Sequence, residues 1–92
     1  MLATNVFRLT WCGNLERLRH VLNVKPDLAK SLDDGSTPLM WLPDDEPLAV
    51  EAAELLMSHG ADPSVRSKEG KTAADYAELR ALYDAAELLK RP

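Results

Sequence analysis

Nucleophilic chemistry in this chain would have to begin at Cys12, the single cysteine, with His20 as its base. A thiol nucleophile needs a base within hydrogen-bond reach and a third group to orient that base. His20 can approach Cys12 only from a following helix, and no third group is apparent, so Cys12 reads as a small residue near the surface. Two histidines and one cysteine at unrelated spacings do not form a zinc set. Asp44, Asp45 and Glu46 stand together between Pro43 and Pro47. A calcium loop needs alternating oxygen ligands and a glycine turn over about 12 residues, which this run lacks. The four glycines are isolated turn or cap residues and do not build a phosphate-cradling loop. His59 falls in the last turn of an expected helix, where partial positive charge is favourable. These residues point away from an enzyme and away from any metal or cofactor.

The charge distribution carries more. The net charge is −4, and no Lys or Arg occurs between Lys30 and Arg66. That interval holds Asp33, Asp34, Asp44, Asp45, Glu46, Glu51, Glu54 and Asp62. Phosphate backbones would be repelled, so nucleic acid is not an expected partner. The acidic interval is either a solvated face that favours solubility or the complement of a basic protein surface. With 46% hydrophobic and 28% charged residues, the chain reads as folded and not as disordered. No apolar run approaches the ~20 residues of a membrane span. Met1-Leu2-Ala3-Thr4-Asn5 lacks the basic and apolar regions of a signal peptide. One cysteine fits a reducing compartment, and the expected location is the cytoplasm.

The elements that must position these residues repeat along the chain. Thr37-Pro38-Leu39 opens a helix with proline in its first turn and a threonine hydroxyl available as a cap. That helix should end near Leu42, because Pro43 follows. A second helix should start around Pro47, bury Leu48, Ala52, Leu55, Leu56 and Met57, and stop at Gly60. Lys71 to Ala77 repeats the first helix, with Thr72 as its cap and Ala74 and Ala77 inward. Asp84 to Lys90 repeats the second, with Ala85, Leu88 and Leu89 inward, after an Ala81-Leu82 turn. Ala85-Ala86-Glu87-Leu88-Leu89 echoes Ala52-Ala53-Glu54-Leu55-Leu56 at a spacing of 33 residues, whereas Gly35 and Gly70 lie 35 apart. The difference places a two-residue insertion in Pro43-Asp44-Asp45-Glu46-Pro47. An earlier unit is in register: Thr4, 33 residues before Thr37, should cap a helix with Val6, Leu9 and Thr10 inward. Leu15, Leu18, Val21 and Leu22 give its second helix an apolar face, and Pro26 ends it. Asp33-Asp34-Gly35 is a turn signal.

Period and motif together resemble ankyrin repeats, whose unit is a β-turn and two helices over 33 residues, opening on T-P-L-H-x-A. The resemblance rests on Gly35-x-Thr37-Pro38-Leu39, on Gly60-Ala61-Asp62-Pro63 and on Gly13-Asn14-Leu15-Glu16. Met40 replaces the usual histidine, and Leu42-Pro43 the usual Ala-Ala. The implied fold is all-α: an ankyrin-repeat solenoid of three helix-turn-helix units with short hairpin-like loops. It forms a single domain over 1–92, with units of approximately 4–34, 35–69 and 70–91.

The resemblance implies a non-enzymatic module that binds a protein through its concave face and hairpin tips. The tips would be Asp33, Asp34 and Ser36, then Lys68, Glu69 and Lys71. Arg8, Trp41 and Tyr76 would form an outward stripe on successive first helices. Trp11, Asp44, Asp45, Glu46 and Leu79-Arg80 would extend that surface. Aromatic and arginine side chains often dominate binding energies, although Trp41 and Trp11 can equally serve internal packing. The expected partner is a protein, basic in the form that the acidic interval would complement, with no membrane or nucleic acid. A monomer with weak self-association is expected. The alternatives are a self-associating assembly module and a small inhibitor or immunity-type protein that masks an enzyme.

Overall fold

The computed structural model describes residues 6–30 and 35–90, and all regular structure among them is helical. Helix α1 spans Val6–Cys12 and α2 spans Leu15–Val24. Lys25 leaves the helical region at φ −134°, as the residue before a proline tends to, and a 3₁₀ turn over Pro26–Lys30 follows. A second 3₁₀ turn covers Pro38–Trp41, and then come α3 (Glu46–Ser58), α4 (Ala73–Leu79) and α5 (Tyr83–Lys90).

These elements pack as consecutive pairs set side by side. Helix α1 packs on α2, the Pro38–Trp41 turn on α3, and α4 on α5. Across the pairs, α1 meets the Pro38–Trp41 turn, which meets α4; behind them α2 meets α3, which meets α5. One layer therefore holds the first element of each pair and the other holds the second. The core between them is rich in leucine and alanine, with Leu18, Leu22, Leu39, Leu42, Ala49, Ala52, Ala53, Leu56, Ala85 and Ala86 all buried. The 33-residue echo extends to burial. Ala52, Ala53 and Leu56 are buried, Leu55 is half-buried and Glu54 is exposed; Ala85, Ala86, Leu89, Leu88 and Glu87 repeat that order.

Three turns are built alike. At the end of α1 the Asn14 amide donates to the Leu9 carbonyl at 3.0 Å, across Gly13 at φ +76°. At the end of α3 the Ala61 amide donates to Leu56 at 3.1 Å, across Gly60 at φ +98°. At the end of α4 the Leu82 amide donates to Ala77 at 2.8 Å, across Ala81 at φ +60°. Each is a six-to-one closure that satisfies a carbonyl the helix leaves open. Two helix starts carry side-chain caps. Asn14 accepts from the Arg17 amide, and Thr72 and Asp75 form a reciprocal capping box.

Several expectations change. The first element of the middle pair is a four-residue 3₁₀ turn and not an α-helix to Leu42. Leu42 precedes Pro43 and is extended (φ −64°, ψ 149°), which stops the turn one residue earlier. Thr37 starts this turn without a side-chain cap, and its Oγ1 is buried without a partner. On α3 the fully buried side is alanine (Ala49, Ala52 and Ala53) with Leu56, while Leu48, Leu55 and Met57 are half-buried at its margins. Alanines let flanking elements approach closely, and Leu48 instead covers the α1–α2 turn, where a Cβ on Gly13 would lie 3.1 Å from its Cδ1. Leu9, Leu15 and Leu88 are likewise half-buried. The proposed Thr4 cap lies outside the described residues.

Candidate surface for a protein partner

The first layer ends in an aromatic cluster. Trp41, last residue of its 3₁₀ turn, meets Phe7 of α1 edge to face at 5.7 Å and 78°. It meets Trp11, in the last turn of α1, at 6.0 Å and 74°. Edge-to-face rings place a positive rim against a negative face, which stabilises the contact beyond its buried area. Both indoles remain open to solvent, Trp11 by 49% and Trp41 by 38%.

Arg80 reaches this cluster from the end of α4. Its guanidinium carbon lies 5.0 Å from the centre of a Trp11 ring, within the range of a cation–π contact. Nε and one terminal nitrogen both donate to Asp44 Oδ1, at 2.8 and 2.6 Å. Trp11, Asp44 and Arg80 thus join the first, second and third pairs at one edge of the first layer. The pair is lopsided in exposure: the Arg80 side chain is 22% exposed and that of Asp44 is 71%.

Glu46 serves a different purpose. Helix α5 has Leu82 at its cap position, where the Leu82 carbonyl accepts from Ala86 but the side chain has nothing to offer the free amides. Glu46 Oε2 accepts from the Ala85 amide at 3.2 Å and supplies the missing cap from the neighbouring pair. Of the three adjacent carboxylates, Asp44 holds Arg80, Glu46 caps α5, and Asp45 is exposed at the start of α3.

Trp41, the middle residue of the expected stripe of Arg8, Trp41 and Tyr76, is exposed and meets two other rings. Its ring contacts are Phe7 and Trp11, while Tyr76 is half-buried, its hydroxyl 2.8 Å from Ser67 Oγ and donating to Glu69 at 3.2 Å. Arg8 is exposed on α1. Glu69 and Lys68 lie on an exposed turn closed by Gly70 N–H to Ser67 O and Ser67 N–H to Lys71 O, both 2.9 Å; Lys71 and Ser36 are half-buried. Gly35 lies against Lys68, so close that a Cβ on it would stand 2.9 Å from Lys68 Cγ. The two loops are therefore in contact at Gly35 and Lys68. Asp33 and Asp34 lie outside the described residues. Phe7 was not singled out in the sequence, although its place one residue before Arg8 put it on the helix that leads to Trp11.

Of the residues first weighed for chemistry, His20 is exposed on α2. Cys12 is exposed. His59 caps α3; its Nδ1–H donates to the Leu55 carbonyl at 2.9 Å, and Nε2 pairs with the Asn23 side chain on α2 at 3.2 Å. Among the described residues there is no cluster of three metal-ligating side chains and no helix long and apolar enough to cross a membrane.

No protein-family model matches the chain, and no solved structure does. Over 41 residues, 45% of this chain, the sequence is 44% identical to the human (Homo sapiens) Espin-like protein. The chain spans about 4% of the length of that relative.

Proposed function

We propose that this chain is an ankyrin-like repeat module, a three-unit solenoid that binds a protein and carries out no chemistry of its own. The repeat reading draws support from the 33-residue echo in sequence and burial and from the pairing of elements into two layers. The binding reading is carried by one observation: two half-exposed tryptophans and an arginine share the edge of the first layer, where all three pairs meet. The two indoles, held against each other before contact, lose little conformational freedom on binding. Exposed Asp44 and Asp45 beside them favour a basic partner. The cytoplasm suits a single exposed thiol.

The test is a crosslinking pull-down from host lysate with wild type, Trp41→Ala, and the pair Asp44→Asn with Asp45→Asn. A protein captured by wild type and lost by both variants supports this surface. Equal capture by all three refutes it. A second reading, self-association, is favoured by exposed Leu79 (69%) and Tyr83 (66%) on the last pair. Sedimentation that changes with concentration, and ceases to change in Leu79→Lys with Tyr83→Lys, would establish it.

A further inference from the structure

The aromatic surface is partly occupied by the protein's own arginine, and the geometry points to what a partner brings to it. We infer that the surface recognises an arginine-bearing basic segment of the partner, with Arg80 as a displaceable internal competitor. This inference rests on the binding reading above and adds the chemistry of the partner.

Three observations support it. Arg80 already shows which group the surface holds: a guanidinium lying over the Trp11 ring and hydrogen-bonded to a carboxylate. That combination suits a planar, weakly hydrated cation better than an ammonium. Arg80 also leaves part of the same chemistry unused. Its two hydrogen bonds to Asp44 both go to Oδ1, so Arg80 leaves Oδ2 unused; Asp45 is exposed, and half of Trp11 faces solvent. Finally, both groups that hold Arg80 face water, although its own side chain is only 22% exposed. An ion pair whose carboxylate is 71% exposed and a cation–π contact on a half-exposed ring are both marginal against water.

A self-occupied site binds with an affinity reduced by the fraction of time it is open. Removing the competitor should therefore tighten binding, the reverse of what removing a contact residue does. The test is calorimetric titration of the whole chain with hexa-arginine, hexa-lysine and hexa-glutamate peptides at low salt. Wild type should bind hexa-arginine more tightly than hexa-lysine. Arg80→Ala should bind hexa-arginine about fivefold tighter than wild type does. Arg80→Lys, a competitor without the planar fork, should fall between them, and it decides the matter if Arg80→Ala fails to fold. Asp45→Asn, which leaves the Arg80 contacts intact, should weaken binding about threefold. Hexa-arginine affinity unchanged or weakened in Arg80→Ala overturns the inference. So does hexa-glutamate binding that Arg80→Ala abolishes, since Arg80 would then be an anchor for an acidic partner. In either case, capture of a protein that depends on Trp41 leaves the broader binding reading standing. Capture that ignores Trp41 removes both.

Discussion

Replacing Ala81 by glycine should stabilise this protein. Ala81 closes α4 at φ +60°, in the left-handed region, at the place where α1 and α3 use Gly13 and Gly60. An L-residue with a Cβ loses about 1–2 kcal/mol there. Glycine removes that strain but has a freer unfolded chain, which takes back about 0.4–1 kcal/mol. The Ala81 side chain is exposed, so deleting its methyl group forfeits little packing. The net gain is about 0.5–1 kcal/mol, equivalent to a rise in Tm of about 2–8 °C for a domain of this size. Urea unfolding followed by circular dichroism should show a higher midpoint with an unchanged slope, the sign of altered stability without altered compactness. Gly13→Ala is the matched control. It introduces the same strain and also brings a Cβ to 3.1 Å from Leu48 Cδ1, so it should destabilise by more than about 1 kcal/mol. An Ala81→Gly midpoint at or below wild type would show that the turn is unstrained and refute the reasoning.

Glu46→Ala should remove the remote cap of α5 and cost about 1 kcal/mol, read as a lower urea midpoint, while Asp45→Ala changes stability little. Thr37→Val should stabilise the fold by about 1 kcal/mol, read as a higher urea midpoint, because the buried hydroxyl has no partner among the described residues and caps nothing. Asp62 accepts from the Ser64 hydroxyl and amide, which hold its carboxyl below 3.8. Its contribution is therefore complete above 3.8 and lost as pH falls through the lower, folded value. The Ser64 amide resonance should titrate in that acid range in wild type and stay flat in Asp62→Asn.

Much of the helical order was legible because it depends on local chemistry. Pro26, Gly13, Gly60 and the Thr72–Asp75 box act within a few residues of themselves, and each ends or starts a helix where its type suggests. The 33-residue echo was legible because Ala52-Ala53 and Ala85-Ala86 are small residues buried alike on the second helices of their pairs. Three-dimensional neighbours were harder. Arg8, Trp41 and Tyr76 share a register, but nothing in that register names Phe7 and Trp11 as rings that Trp41 meets. Glu46 reads as one of three surface acids until α5 is found without a cap of its own. Nothing within the sequence of α5 names the residue 39 positions earlier that supplies one.

The chain's two tryptophans stand in the same cluster, their rings at 74° to one another, with the Arg80 guanidinium over Trp11. Excited at the red edge of the indole band, the protein therefore emits from a single address. Coupled transitions of the crossed rings should give a paired positive and negative band in circular dichroism, a signature that vanishes when either ring turns. A ligand settling on this edge will shift the colour or the yield of that light, whereas one docking on the outer helices will leave it unchanged. The molecule carries its own optical probe at the place most in need of one, and no dye or label is required to learn where a partner lands.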